Sequence, residues 1–192
     1  MRIGVDFDNT LACYDRVFAA AAVEAGLAPP DCIQDKAWLG DYIRRLPDGE
    51  TAWKRLQGQV YGRLIGQAEL VEGAAEFLAH CRRRGASVFV VSHKTEFGHF
   101  DPHNVPLREA ALAWMEERGF FAEGGFAISR GNVFFEATRP DKLARIAALD
   151  CDAFVDDLPE VLDDPAFPVG VARYLVGSGQ SWKEITDALF PK

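Results

Sequence analysis

Short continuous apolar runs alternate with stretches of helical periodicity along the chain. The run at 2–5 ends at Asp6, and Asp8, Asn9 and Thr10 supply turn chemistry before an alanine-rich, helical stretch at 15–25. Gly26 and the pair Pro29-Pro30 stop that helix. From about 31 to 69 the pattern is amphipathic and helical with no convincing strand, which suits a small helical lobe. Ala74, Phe77, Leu78 and Cys81 stand at core spacing on a helix over 73–84 closed by Gly85, and 86–91 is an apolar run ending at Ser92. A polar loop over 93–106 leads to a helix at 107–118, a weak strand at 126–129 and a short run at 133–136. A helix at 141–149 follows, then a strand at 153–155 running into Asp156-Asp157, a last strand at 168–172 and a closing helix at 182–190.

Strands alternating with helices imply a parallel sheet covered on both faces, hence an α/β, three-layer, doubly wound, Rossmann-like architecture. The expected organisation is a core built from 1–26 and 70–192 with a small helical cap inserted at 27–69. The length of 192 residues suits one well-buried domain with a small lobe rather than two full domains. In sheets of this kind ligands bind beyond the carboxyl ends of the strands. Asp6, Ser92 and Asp156 each stand at the end of an apolar run, so the pattern predicts that they meet at one sheet edge.

Composition narrows the partners. Hydrophobic residues at 48% and charged residues at 26% are ordinary for a packed globular protein. A net charge of -8 argues against a general affinity for nucleic acid, yet leaves room for small anions in a locally cationic cleft. Cys13, Cys32, Cys81 and Cys151 are scattered without CxxC spacing, which suits neither a zinc finger nor a disulfide framework. With no basic stretch and apolar run of a signal peptide at the start, and no segment of the ~18 apolar residues that a span needs, a cytoplasmic protein without membrane contact is expected.

The candidate chemistry lies in acidic residues. Asp6 and Asp8 are two residues apart at a strand end, and Asp156-Asp157 follows another strand. Gathering such carboxylates costs Coulomb repulsion, which a hard cation such as Mg²⁺ relieves through oxygen ligands. Lys142 offers a second positive charge. Each residue also has an ordinary structural explanation. Asp-x-Asp can cap a loop, Ser92 can close a turn, Lys142 can lie on a solvated helix face, and Asp156-Asp157 can cap the short helix begun by Pro159.

Taken together, Asp6-Phe7-Asp8-Asn9-Thr10, Ser92, Lys142 and Asp156-Asp157 stand in the order of the four motifs of the haloacid dehalogenase-like superfamily, and the chain resembles its phosphatase branch over about 2–157. The resemblance implies that Asp6 attacks phosphorus and forms an aspartyl-phosphate, with Asp8 as general acid and then general base. It implies that Thr10 and Ser92 hold phosphate oxygens and that Lys142 neutralises the transferring group. Mg²⁺ would be bound by Asp6, the backbone carbonyl of Asp8, and Asp156, with Asp157 as an alternative or supporting ligand.

An acid at position 8 favours phosphoryl transfer over carbon-halogen cleavage, which needs no proton for the leaving halide. The implied substrate is a phosphomonoester on a small metabolite. A phosphotransferase or mutase of the same superfamily shares the first motif, and a receiver-like phosphoryl-binding module shares the residue types, although receiver domains place the phosphorylated Asp after an acidic pair. His93, His99 and His103 cluster in one loop at spacings that fit no standard zinc site. A loop in which His93 and Lys94 touch substrate is the expectation.

Overall fold

The computed structural model describes residues 1–191, and they fall into two compact units. The first comprises Met1–Ala12, Leu70–Lys94 and the chain from Met115 onward. Its centre is a five-stranded parallel sheet of β1 (Arg2–Val5), β4 (Ser87–His93), β5 (Val133–Glu136), β6 (Ala153–Asp156) and β7 (Ala172–Leu175). The order across the sheet is β5-β4-β1-β6-β7. The chain leaves β1 for one side, builds β4 and β5, and returns to the other side for β6 and β7. The strand order therefore reverses at β1, the position where open α/β sheets leave a crevice beyond the strand ends. This is an α/β, Rossmann-like sheet with helices on its faces.

The strands read as continuous apolar runs because both faces are covered. On one face Phe89, Val91 and Phe154 pack with Leu143 and Ile146 of α6 (Arg139–Ala148) and with Val161 and Leu162 of α7 (Pro159–Leu162). Gly4 belongs to this face, and a Cβ there would collide with the Phe154 ring, so β1 can run beneath that ring only with glycine at this point. On the opposite side α4 (Ala74–Arg83) and α8 (Trp182–Leu189) meet, with the rings of Phe77 and Trp182 4.5 Å apart. A capping box between Ser181 and Glu184 starts α8. Truncating Phe154, which is fully buried, to alanine should cost about 3–5 kcal/mol of stability. Chemical denaturation of Phe154→Ala against the native chain measures it.

The second unit comprises Cys13–Glu69 and Thr95–Trp114. It contains α1 (Asp15–Glu24), α2 (Lys36–Arg44), α3 (Gly49–Tyr61) and the first turns of α5 (Leu107–Glu117). The expected insert at 27–69 lies within this unit, which also takes in α1 and the segment 95–114. Its core is aromatic. Phe18 stacks on Trp53 at 5.0 Å and meets Tyr61 edge-on at 5.5 Å. The segment after β4 reaches α3 through a pair of glycines, and a Cβ on Gly98 would collide with the Gly58 backbone. A short two-stranded sheet pairs β2 (Ala12–Cys13) with β3 (Glu69–Leu70).

Two sequence expectations shift. The apolar run at 168–172 is not the last strand. Gly170 turns at φ 89°, Val169 is fully exposed, and β7 begins only at Ala172, where its N–H reaches the Asp152 carbonyl at 3.0 Å. An edge strand has one row of backbone groups in solvent and needs less apolar side chain than a central one. The weak strand at 126–129 is a loop in which Ala127 adopts φ 56° and the Ile128 N–H donates to the Phe120 carbonyl, so its apolar residues pack on the end of α5 instead of pairing in the sheet.

No described helix is long and apolar enough to cross a membrane. All four cysteines are free. Burial pushes the Cys81 thiol up to about 12 and the Cys151 thiol up to about 11. Thiolate, not thiol, is alkylated. In the native protein Cys81 and Cys151 should resist iodoacetamide at mildly alkaline pH, whereas the half-exposed Cys32 reacts. Peptide mapping before and after unfolding reads this directly.

Candidate active site

The site lies within the first unit and is assembled at the carboxyl edge of the sheet. Asp6 follows β1 directly, and its N–H donates to the Val155 carbonyl of β6 at 2.9 Å, which continues the ladder by one bond. Asp156 ends β6 and is fully buried, and Asp6 is 5% exposed. Between them comes the ammonium of Lys142. Thr138 caps the start of α6 by accepting from the Asp141 N–H at 3.2 Å, and Lys142 lies in the next position, aimed at the sheet edge. Its Nζ donates to Asp6 Oδ1 and to Asp156 Oδ2, both at 2.6 Å.

Such an arrangement is costly unless every charge is answered. Burial alone would lower the Lys142 pKa, but the facing carboxylates of Asp6 and Asp156 outweigh it and hold the ammonium above its ordinary value. Lys142 is therefore a fixed cation. Burial, followed by the neighbouring Asp6 charge, pushes the Asp156 carboxyl up to about 7 against the opposing pull of Lys142. The remaining Asp156 oxygen accepts from the Leu158 N–H at 3.0 Å.

The loop after β1 carries the other polar residues. Asn9 adopts φ 59°, a left-handed conformation that Asn tolerates, and this turns the loop so that the Leu11 and Ala12 N–H groups reach the Phe7 carbonyl at 2.9 and 3.0 Å. Thr10 Oγ1 donates to Asp157 Oδ1 at 3.3 Å, and Asn9 Nδ2 lies 3.4 Å from Asp157 Oδ2. The indole N–H of Trp182 donates to the Thr10 carbonyl at 3.2 Å and ties α8 to the loop. Asp8 faces Lys94, whose Nζ is 2.8 Å from Oδ2 and 3.0 Å from Oδ1. Ser92 is 1% exposed at the end of β4, one strand from Asp6.

A metal has a place in this geometry. Asp6, Asp156 and Asp157 each offer one carboxylate oxygen within 4.8 Å of the others. The three carboxylates outnumber the Lys142 ammonium, so the cluster favours an added positive charge. An oxygen-only donor set with surplus negative charge suits a hard divalent cation such as Mg²⁺ and does not suit a soft metal. Among the described residues no histidine joins a group of three potential ligands.

The structure thus brings together Asp6, Asp8, Thr10, Lys142, Asp156 and Asp157, with Ser92 on the adjoining strand. The carboxylate of Asp8 stands apart from the three-carboxylate group and faces Lys94. His93 and Lys94 diverge. His93 is exposed with Nε2 2.9 Å from the Ala137 carbonyl, whereas Lys94 is 3% exposed and turned toward Asp8, so it is not part of an exposed loop. Asn9 as a partner of Asp157, Lys94 as a partner of Asp8, and Trp182 as an anchor of the loop escaped sequence reading. For the first, the turn itself was expected, since Asn is at ease with positive φ, but its partner was not. The other two are contacts over 86 and 172 residues of chain, which no local pattern reveals.

No family model and no curated protein matches the chain. Solved structures do resemble it. A hydrolase from Streptococcus pneumoniae TIGR4 superposes with a TM-score of 0.58 at 14% identity, covering 98% of this chain and 97% of that one. A haloacid dehalogenase-like family hydrolase from Xanthomonas campestris gives 0.52 at 14% identity, with 94% and 84% covered. A HAD-superfamily hydrolase from Ehrlichia chaffeensis gives 0.50 at 13% identity, with 98% and 95% covered. The sheet order, the helices on its faces and the near-complete overlap make this chain's fold that of the haloacid dehalogenase-like hydrolases.

Proposed function

We propose that the protein is a Mg²⁺-dependent phosphohydrolase of the haloacid dehalogenase-like superfamily, cleaving a phosphomonoester on a small metabolite through an aspartyl-phosphate on Asp6. The observation that carries the reading is the buried Lys142 ammonium held 2.6 Å from both Asp6 and Asp156 at the topological switch of the sheet. A cation fixed beside a carboxylate that ends a strand in a crevice fits a nucleophile poised for an anionic substrate.

Asp6, Asp156 and Asp157 would hold the metal. When bound, Mg²⁺ neutralises negative charge on the transferring phosphoryl group. The remaining roles belong to side chains of the chain itself. Asp6 attacks phosphorus in line, and the bond to the leaving oxygen breaks as Asp8 gives that oxygen a proton. Asp8 then takes a proton from the water that attacks the aspartyl-phosphate, releasing phosphate and restoring Asp6. Thr10 and Ser92 donate hydroxyl hydrogen bonds to phosphate oxygens, and Lys142 answers the charge that accumulates on them. Before substrate arrives Asp157 holds Thr10 and Asn9 through the contacts already described, and the Thr10 hydroxyl turns from Asp157 to the phosphate when it binds.

Release of phosphate from p-nitrophenyl phosphate and a panel of phosphorylated metabolites tests this, with Mg²⁺ or with EDTA. Turnover that EDTA removes and Mg²⁺ restores is the expected result. Absence of phosphate release from the whole panel, with folded protein and metal present, would sink the reading.

A further inference from the structure

Lys94 is a buried cation to which the four-motif chemistry gives no task. Its side chain is 2% exposed, and its Nζ spans both oxygens of Asp8 at 2.8 and 3.0 Å. The backbone fixes where it starts. His93 pairs with Glu136 in the β4–β5 register, and the Lys94 N–H extends that ladder to the Glu136 carbonyl at 2.9 Å. Side chains alternate along a strand. Ser92 and Lys94 therefore leave the same face of the sheet, while His93 leaves the other and reaches the Ala137 carbonyl. The Lys94 ammonium lies 5.5 Å from the centre of the Phe7 ring, the residue between Asp6 and Asp8. A buried ammonium without hydrogen-bond acceptors is costly, and the two Asp8 oxygens supply them.

We propose that Lys94 is a positioning residue for Asp8, holding its carboxylate in one orientation through both steps of the reaction. This rests on the function proposed above. In the first step the O–H bond of Asp8 breaks and the leaving oxygen gains the proton; in the second, water returns a proton to Asp8. Lys94 keeps its own protons throughout. Both transfers need one Asp8 oxygen aimed at the same place, first at the leaving oxygen and then at the water. A carboxylate held at both oxygens cannot swing about its Cβ–Cγ bond. Without Lys94 the Asp8 carboxylate loses the contact that grips both of its oxygens, and its aim is lost.

The readout is leaving-group dependence. p-Nitrophenolate departs without a proton, whereas an alkoxide needs one. Lys94→Met should lower kcat/KM, which reports the first step alone, on alkyl phosphates by about 100-fold, the scale of a misplaced acid, and on p-nitrophenyl phosphate by no more than about threefold. A retained kcat/KM on p-nitrophenyl phosphate also certifies that the variant is folded. Lys94→Arg should recover part of the alkyl phosphate rate. In an Asp8→Asn background Lys94→Met should cost nothing further on alkyl phosphates, since the residue acts through Asp8.

Equal losses of kcat/KM on both substrate types would overturn the proposal in favour of a structural lysine. A rise in KM with kcat unchanged would overturn it in favour of a lysine that binds substrate. Additive losses in the double variant would overturn it as well. A wild-type protein that turns over neither substrate would instead overturn the proposed function, and this inference with it.

Discussion

Lys142→Met should both inactivate and destabilise the protein. Among the described residues the ammonium is the one cation within hydrogen-bond distance of Asp6 and Asp156, and both carboxylates are more than nine-tenths buried. Removing one partner of a buried ionic network leaves uncompensated charge, which costs about 3–5 kcal/mol. In a chain of this size, with about 2–4 °C lost per kcal/mol, the melting temperature should fall by roughly 6–20 °C. Mg²⁺ should restore part of this loss, because a cation bound among Asp6, Asp156 and Asp157 answers the same charges. Calorimetry with and without Mg²⁺ reads the effect. A melting temperature unchanged from wild type would mean that the lysine is not the charge that holds the cluster together.

Asp6→Asn should separate activity from stability. The amide oxygen can still accept from Lys142, and the substitution removes a negative charge close to Asp156, so the repulsion within the cluster falls. The melting temperature should stay within about 4 °C of wild type, equivalent to about 1 kcal/mol. Activity should fall by about 10⁴-fold or more, the scale on which loss of a nucleophile is felt in enzymes that form covalent intermediates. Phosphate release and a thermal melt on one preparation measure both quantities. Unfolded Asp6→Asn would show that the carboxylate serves the fold; folded and fully active Asp6→Asn would show that another group attacks.

The central strands of the sheet were legible because they are buried on both faces. Arg2–Val5 and Val133–Glu136 were read with their observed bounds, and β4 and β6 within one or two residues, since each is a short apolar run that ends at a polar residue. The edge strand β7 was misplaced by the opposite logic. Its Ala172 and Arg173 are exposed at the sheet rim, whereas the apolar Pro168 and Val169 beside it belong to a turn. The meeting of Asp6, Ser92 and Asp156 at one edge followed from the strand ends alone. Lys142 was named from its helix and motif order, but its bridge between two carboxylates depends on the packing of α6 on the sheet. The Lys94–Asp8 pair depends on β4 running two residues past the apolar run, to His93, with the Lys94 N–H extending the ladder. Periodicity marks where an apolar run stops; backbone pairing decides where the strand does.

The central claim is that Asp6 is phosphorylated during turnover. The most direct measurement uses Asp8→Asn, which lacks the base for the second step, with p-nitrophenyl phosphate, which needs no acid in the first. Acid quenching after mixing with Mg²⁺ and substrate, followed by peptide mass spectrometry, should find one phosphoryl group on the peptide containing Asp6, together with a burst of p-nitrophenolate equal to the enzyme sites. Continued p-nitrophenolate release with that peptide unmodified, or the phosphoryl group on another residue, would contradict it.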